Sequence, residues 1–178
     1  MSGTSPQQVV SLEDLGTAKR GDHTADNLRP RYFSKEQVEM LDDLCELIIP
    51  RDDDAGGARD AGAAEFIDLI ASERRDYQIL LGGGLAWVNA HCRRNYGSEY
   101  LECVERDKDD LLHQLAWRER AEADPALMAG NQFFSLLRKL TVDAFVTSET
   151  GLRYLGYIGN CRLQEFNGCP DTDNVSAS

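Results

Sequence analysis

The stretch from Phe33 to Ile70 constrains this chain more than any other, because it spells out a helix, a hard stop, an acidic turn and a second helix. Ser34 has Gln37 three residues on, the spacing of a capping box, and Phe33 and Val38 stand where a hydrophobic staple clamps the first turn. Val38, Leu41, Cys45, Ile48 and Ile49 then recur at helical spacing, with Leu44 and Leu47 widening the stripe, so one broad face must be buried. Pro50 lacks a backbone donor and disfavours helical geometry before it, which places the break at Ile49 or Pro50. The loop that follows carries Asp52, Asp53, Asp54 and Asp60 around Gly56 and Gly57. In an EF-hand register starting at Asp52, Gly56 falls at the fifth ligand position and Ala63 at that of the bidentate Glu, leaving two ligand sites empty. A solvated turn whose aspartates oppose the positive end of the next helix fits better. Asp60 is the expected cap, and Ala64, Phe66, Ile67, Leu69 and Ile70 supply the apolar face of a helix running from Ala61.

The remaining pattern is also helical. After a charged break over Glu73 to Asp76, apolar residues resume from Tyr77 to Cys92, interrupted by Gly82, Gly83 and Gly84. Three glycines in a row are costly within a helix, so a joint between two helices is expected there. They do not make a dinucleotide loop, since Trp87 occupies the third glycine position and no strand precedes. Gly97 should end the helix containing Ala90 to Arg94, and Tyr100, Leu101 and Cys103 lead into one bearing Leu111, Leu112, Leu115 and Ala116. Asp124 before Pro125 marks another start, for a helix holding Leu127, Phe133, Leu136, Leu137, Leu140, Ala144 and Phe145. Alternating strand patterns are scarce. The expected fold is all-α: a compact single-domain bundle of about five or six helices, given ordinary helix lengths, with an irregular glycine- and aromatic-rich C-terminal segment. Its limits are drawn at residues 32–170, between a mobile polar tail over 1–31 and a disordered tail over 171–178.

Nineteen basic against 31 acidic residues, a net charge of −12 over 178 residues, argue against nucleic acid or an anionic membrane as the main partner. Arg74 with Arg75 and Arg93 with Arg94 read as solvated helix faces. No stretch approaches 18 consecutive apolar residues, so no membrane span is expected. Lys19 and Arg20 precede Gly21, Asp22 and His23 instead of an apolar run, so no export signal is read and a cytoplasmic location is expected, the periplasm being the alternative. None of the five cysteines is spaced as C-x-x-C. Cys45 reads as a small core residue, while Cys161 and Cys169 could pair in an oxidising compartment. His23, His91 and His113 show no catalytic context, and no nucleophile elbow or phosphate motif is found, so no catalytic, cofactor-binding or metal-ligating residue is assigned.

The run LCELIIPRDDDAGGARDAGAAEFIDLI resembles the opening of the gluconate 2-dehydrogenase subunit 3 family, the small subunits of flavin-dependent sugar and polyol dehydrogenases. A second patch, FFSLLRKLTVDAFVTSETGLRYLGYIGN followed by FNGCP, is similar to that family's closing segment, including Gly151, Leu155, Gly156, Tyr157, Gly159, Asn160, Gly168, Cys169 and Pro170. The resemblance implies a non-catalytic subunit that binds and stabilises a large FAD-dependent dehydrogenase of the glucose-methanol-choline type, with FAD in that partner and a cytochrome or another acceptor taking the electrons. It also implies a twin-arginine export signal, a role that is here either absent or borne by residues removed ahead of this sequence.

The aromatic segment from Phe145 to Pro170 admits two readings: its rings close the domain's own core, or they dock on a partner. Tyr154, Leu155, Tyr157, Ile158, Asn160 and Phe166 are the candidate partner-binding residues. Two other functions stay open, a metal-dependent enzyme using the acidic loop Asp52 to Asp60 and a self-associating helical binding module.

Overall fold

The computed structural model describes residues 30–52, 56–157 and 159. Among them are seven α-helices and no strand: α1 (Lys35–Ile48), α2 (Ala63–Glu73), α3 (Arg75–Asn95), α4 (Glu105–Ala116), α5 (Arg118–Ala123), α6 (Met128–Thr147) and α7 (Glu149–Tyr154). Single 3-10 turns at Tyr100–Glu102 and Pro125–Leu127 lead into α4 and α6. Five of the helices are eleven residues or longer and two are six residues long, which matches the expected all-α bundle.

α1 begins as its sequence requires. The Gln37 amide donates to Ser34 Oγ and the Gln37 side chain accepts from the Ser34 amide, while Phe33 and Val38 are both buried. A second device anchors the same end. Asp68, buried in the middle of α2, accepts the amides of Arg31, Tyr32 and Phe33 at 2.5, 3.1 and 2.8 Å. One carboxylate thus satisfies three donors ahead of α1 and ties the two helices together.

The bundle is assembled around α6, which packs against every other helix. It buries a broad apolar stripe of Phe133, Phe134, Leu137, Leu140, Ala144 and Phe145. Its largest contact is with α3, where two glycines decide the geometry. A Cβ on Gly84 of α3 would fall inside the side chain of Phe133, and one on Gly130 of α6 would collide with the ring of Trp87. Each helix therefore offers a notch to the other's aromatic side chain, three residues apart in both sequences and in reversed order, as helices running in opposite directions demand.

This packing corrects the expectation of a joint at Gly82 to Gly84. α3 runs unbroken from Arg75 to Asn95, because the close approach at Gly84 and the burial of Leu81, Leu85 and Val88 outweigh the propensity cost. The helix ends as expected, with Gly97 at φ +83° just beyond it. Asp124 caps the following start by accepting the Ala126 amide at 2.9 Å, although the first turn is 3-10 before α6 proper.

Polar groups are also built into the core. Asp43 Oδ2 on α1 accepts from the Tyr100 hydroxyl at 2.7 Å and pairs with Lys108 Nζ of α4 at 2.9 Å. Burial pulls the Lys108 ammonium down, but Asp43 outweighs it and leaves the pKa raised. Cys45 is fully buried and accepts from Thr141 Oγ1 at 3.2 Å, and burial pushes its thiol up to about 12, as befits an inert core residue. His91, 8% exposed, stacks on Trp87 at 4.8 Å, and its Nε2 is buried without a hydrogen bond. His113 is exposed and His23 lies outside the described residues.

Two outcomes follow from this core. Gly83→Ala, with nothing within 4 Å of its new methyl, should raise stability by about 0.5–1 kcal/mol, whereas Gly84→Ala should lower it by about 1–3 kcal/mol. Urea denaturation of the two variants reads this opposite pair of signs from adjacent residues. For His91, burial aided by the Arg94 charge holds the imidazole below its ordinary value. The unfolded chain takes up a proton near pH 6.5, about the free value, before the folded chain does, so this stability is present above that pH and lost as pH falls through it. Wild type should lose more stability than His91→Phe between about pH 7.5 and about pH 5.5, measured by urea midpoints.

Candidate partner-binding face

The acidic loop between α1 and α2 is held from inside by one residue of α1. Glu46 Oε1 accepts the Arg51 amide at 3.0 Å and Oε2 the Arg59 amide at 2.8 Å, so a single carboxylate closes both arms. Gly57 makes room for it, since a Cβ there would lie 2.5 Å from the Glu46 carboxylate. Asp60 adds a second closure, accepting the Gly57 amide at 2.9 Å and pairing with Arg51 at 2.9 Å, while Arg59 pairs with Asp42 at 2.6 Å. This corrects the role expected of Asp60. It does not cap α2; Gly62, at φ +69°, occupies the N-cap without a side-chain bond, and the helix starts at Ala63 instead of Ala61. The tight turn carries its own hydrogen bonds, including the Ala63 amide to the Ala58 carbonyl at 3.1 Å, and leaves Asp60 free to brace the loop.

The described part of this loop is therefore organised by carboxylates that already have partners. No group of three or more His, Cys, Asp or Glu side chains that could hold a metal ion occurs among the described residues. Asp53 and Asp54 lie outside them.

The same loop rests on the far end of the chain. Thr150 Oγ1 of α7 donates to the Asp60 carbonyl at 3.4 Å, and Gly56 sits so close to Thr150 that a Cβ would lie 2.8 Å from its methyl. α7 itself is pinned by glycine. A Cβ on Gly151 would overlap the Phe145 carbonyl at the end of α6, so only glycine lets the chain turn this tightly. Ser148 caps the new helix through the Gly151 amide at 3.0 Å. α7 ends in a Schellman motif: Gly156 is at φ +67°, its amide donates to the Arg153 carbonyl at 3.0 Å, and the Tyr157 amide donates to the Leu152 carbonyl at 2.9 Å.

Between loop and helix lies a shallow cleft of about 280 Å³. Ile48, Ile49 and Pro50 form one wall, Asp52 and Gly56 another, and Phe145 and Tyr154 the third. Beside it, Tyr154, Leu155 and Tyr157 are 58, 59 and 53% exposed. These three rings and side chains do not close the domain's own core, although Tyr154 meets the buried Phe145 edge-on at 6.2 Å. Ile158, Asn160 and Phe166, with which they were grouped, lie outside the described residues, as do Cys161 and Cys169. The expected irregular segment is thus helical at its start, through α7. Periodicity assigns Ile48 and Ile49 to a buried stripe, so the cleft they line beside the Pro50 stop is not legible from it.

The described residues form an all-helical module in which the loop after α1 and the short helix after α6 meet at one end, where aromatic and aliphatic side chains are exposed. Comparison with protein families places it further. Residues 35–159 match the model for gluconate 2-dehydrogenase subunit 3, and the chain belongs to that family. The family is that of a small subunit of a dehydrogenase complex, and its matched span covers both segments that form this end. Comparisons with curated proteins and with solved structures returned no match. No helix among the described residues is long and apolar enough to cross a membrane.

Removing the brace at Glu46 should loosen the loop while leaving the bundle folded. In Glu46→Ala, limited trypsin digestion should cut after Arg51 and Arg59 faster than in wild type, at unchanged helical circular dichroism.

Proposed function

We propose that this chain is a non-catalytic accessory subunit that binds and stabilises a large FAD-dependent dehydrogenase of the glucose-methanol-choline type, one that oxidises a sugar, glycoside or polyol. The observation that carries the reading is the convergence of the two segments with family resemblance, about a hundred residues apart in sequence, on one end where Tyr154, Leu155 and Tyr157 are exposed. Tyrosines and aliphatic side chains held at the end of a short capped helix and in the turn that closes it are the kind of group that carries the energy of an interface. Other exposed apolar residues include Ile79, Val104 and Trp117, which lie on separate elements. FAD belongs, on this reading, to the partner, and a cytochrome or another acceptor drains its electrons.

The test is purification of the chain under gentle conditions from its native cell. The expected result is a yellow complex containing a much larger chain, whose flavin absorbance bleaches on adding a sugar or polyol. A colourless, stable preparation of this chain alone overturns the reading. Within the complex, Leu155→Asp together with Tyr157→Asp should weaken association by at least about 30-fold, since loss of a central hot spot costs about 2 kcal/mol or more. Both positions are exposed, so the helical circular dichroism of the variant should match wild type.

A further inference from the structure

We infer that Cys92 and Cys103 close a disulfide wherever the chain meets a disulfide oxidant, clasping the end of α3 to the turn that leads into α4. This bridge is a property of the chain itself and does not rest on the accessory-subunit reading.

The way α3 ends brings the two residues together. The Cys92 carbonyl accepts the amides of Tyr96 and Gly97 at 2.7 and 3.1 Å, and Gly97, at φ +83°, turns the chain back. The returning segment is pinned to α3 where Asn89 Oδ1 accepts the Tyr100 amide at 3.0 Å. Cys92 lies three residues beyond Asn89, and Cys103 three beyond Tyr100, so one register sets the two buried thiols side by side in a side-chain hydrogen bond. Arg93, paired with Glu99 at 3.1 Å, braces the same loop from outside. Thiols already in contact reach bonding distance with little backbone movement. Cys45, the other cysteine among the described residues, is seated on Thr141 instead.

The surroundings set the order of events. Cys103 is 7% exposed against 1% for Cys92 and stands between exposed Glu102 and Val104, so it attacks a low-molecular-weight disulfide and releases one small thiol. Cys92 then attacks Cys103 Sγ, the protein disulfide forms, and the second small thiol leaves. Two protons and two electrons pass from the protein to the oxidant, which becomes two thiols. Loss of the thiol protons orphans no acceptor, because the Glu99 carbonyl, which accepts from Cys103 Sγ at 3.3 Å, also accepts the Glu102 amide at 2.9 Å. Burial, reinforced by Cys103, pushes the Cys92 thiol up; its thiolate is a poor leaving group, and the bridge once made resists reduction.

The experiment incubates the folded full chain with oxidised glutathione or with dithiothreitol, denatures it in iodoacetamide to block remaining thiols, and maps tryptic peptides without reduction. Trypsin cuts after Arg93 and Arg94, between the two cysteines, so the expected bridge joins peptide 76–93 to peptide 95–106 until a reductant separates them. The oxidised chain should melt about 5–10 °C above the reduced one, a shift kept in Cys161→Ser with Cys169→Ser and lost in Cys103→Ala. Any of four results overturns the inference: both cysteines alkylated after oxidation of the folded chain, a lasting glutathione adduct on Cys103, a bridge from either residue to a different cysteine, or a Cys92–Cys103 bridge that lowers the melting temperature.

Discussion

The reciprocal seat of Trp87 on Gly130 and of Phe133 on Gly84 is the constraint on which the rest of the structure depends. Two bulky aromatics would ordinarily hold a pair of helices apart, since interaxial spacing follows the side chains at the contact. Removing the Cβ opposite each ring lets α3 and α6 approach closely while both rings remain buried or half-buried. The interlock also fixes register: sliding either helix by one turn would drive each ring into a residue with a side chain. With α3 fixed, α6 becomes the axle against which the other helices pack. Interior packing at native density makes such a lock cooperative, because no neighbour can yield without opening a void.

The lock reaches the candidate face through the length of α6. Gly130 and Phe133 lie near its start and Phe145 near its end, where the carbonyl of Phe145 abuts Gly151 and turns the chain into α7. The other half of the face comes from α1, which reaches α6 through Cys45 and Thr141 and sends Glu46 into the loop one residue later. Both halves are therefore set by the same core helix. That arrangement places Tyr154 in a short helix capped at both ends, with Leu155 and Tyr157 in the turn that closes it, so this end has little conformational entropy left to lose on being covered.

What sequence reasoning recovered divides along a physical line. Local rules held where the interaction spans a few residues: the Ser34 capping box, the Pro50 stop, the Asp124 cap and the Gly97 terminus all sit where their chemistry requires. They failed where a residue answers to something distant. Gly84 reads as a helix breaker until Phe133, 49 positions away, is brought against it. Asp60 reads as a cap until Arg51 and the Gly57 amide claim its oxygens. At the candidate site the tyrosines were legible as a group, but whether they faced inward or outward was not, because glycine spacing around them suits both outcomes. In the structure Tyr154, Leu155 and Tyr157 face outward at the end of α7 and in the turn that closes it.

Glycine serves two opposed purposes in this chain, and the difference bears on how such a subunit persists. Gly84 and Gly130 are buried and convert missing side chains into close packing, which stabilises the isolated domain. Gly151 and Gly156 instead shape a face whose apolar groups remain in water, and burying three such side chains would contribute several kcal/mol, at about 1.5–3 kcal/mol for each one fully covered. That amount is comparable with the whole stability of a typical domain, about 5–15 kcal/mol. A chain designed in this way folds through its own core but leaves a sizeable fraction of its possible stabilisation to be realised by contact. By mass action, whatever covers that face adds directly to the stability of the folded state, so partner binding and persistence of the fold become one equilibrium.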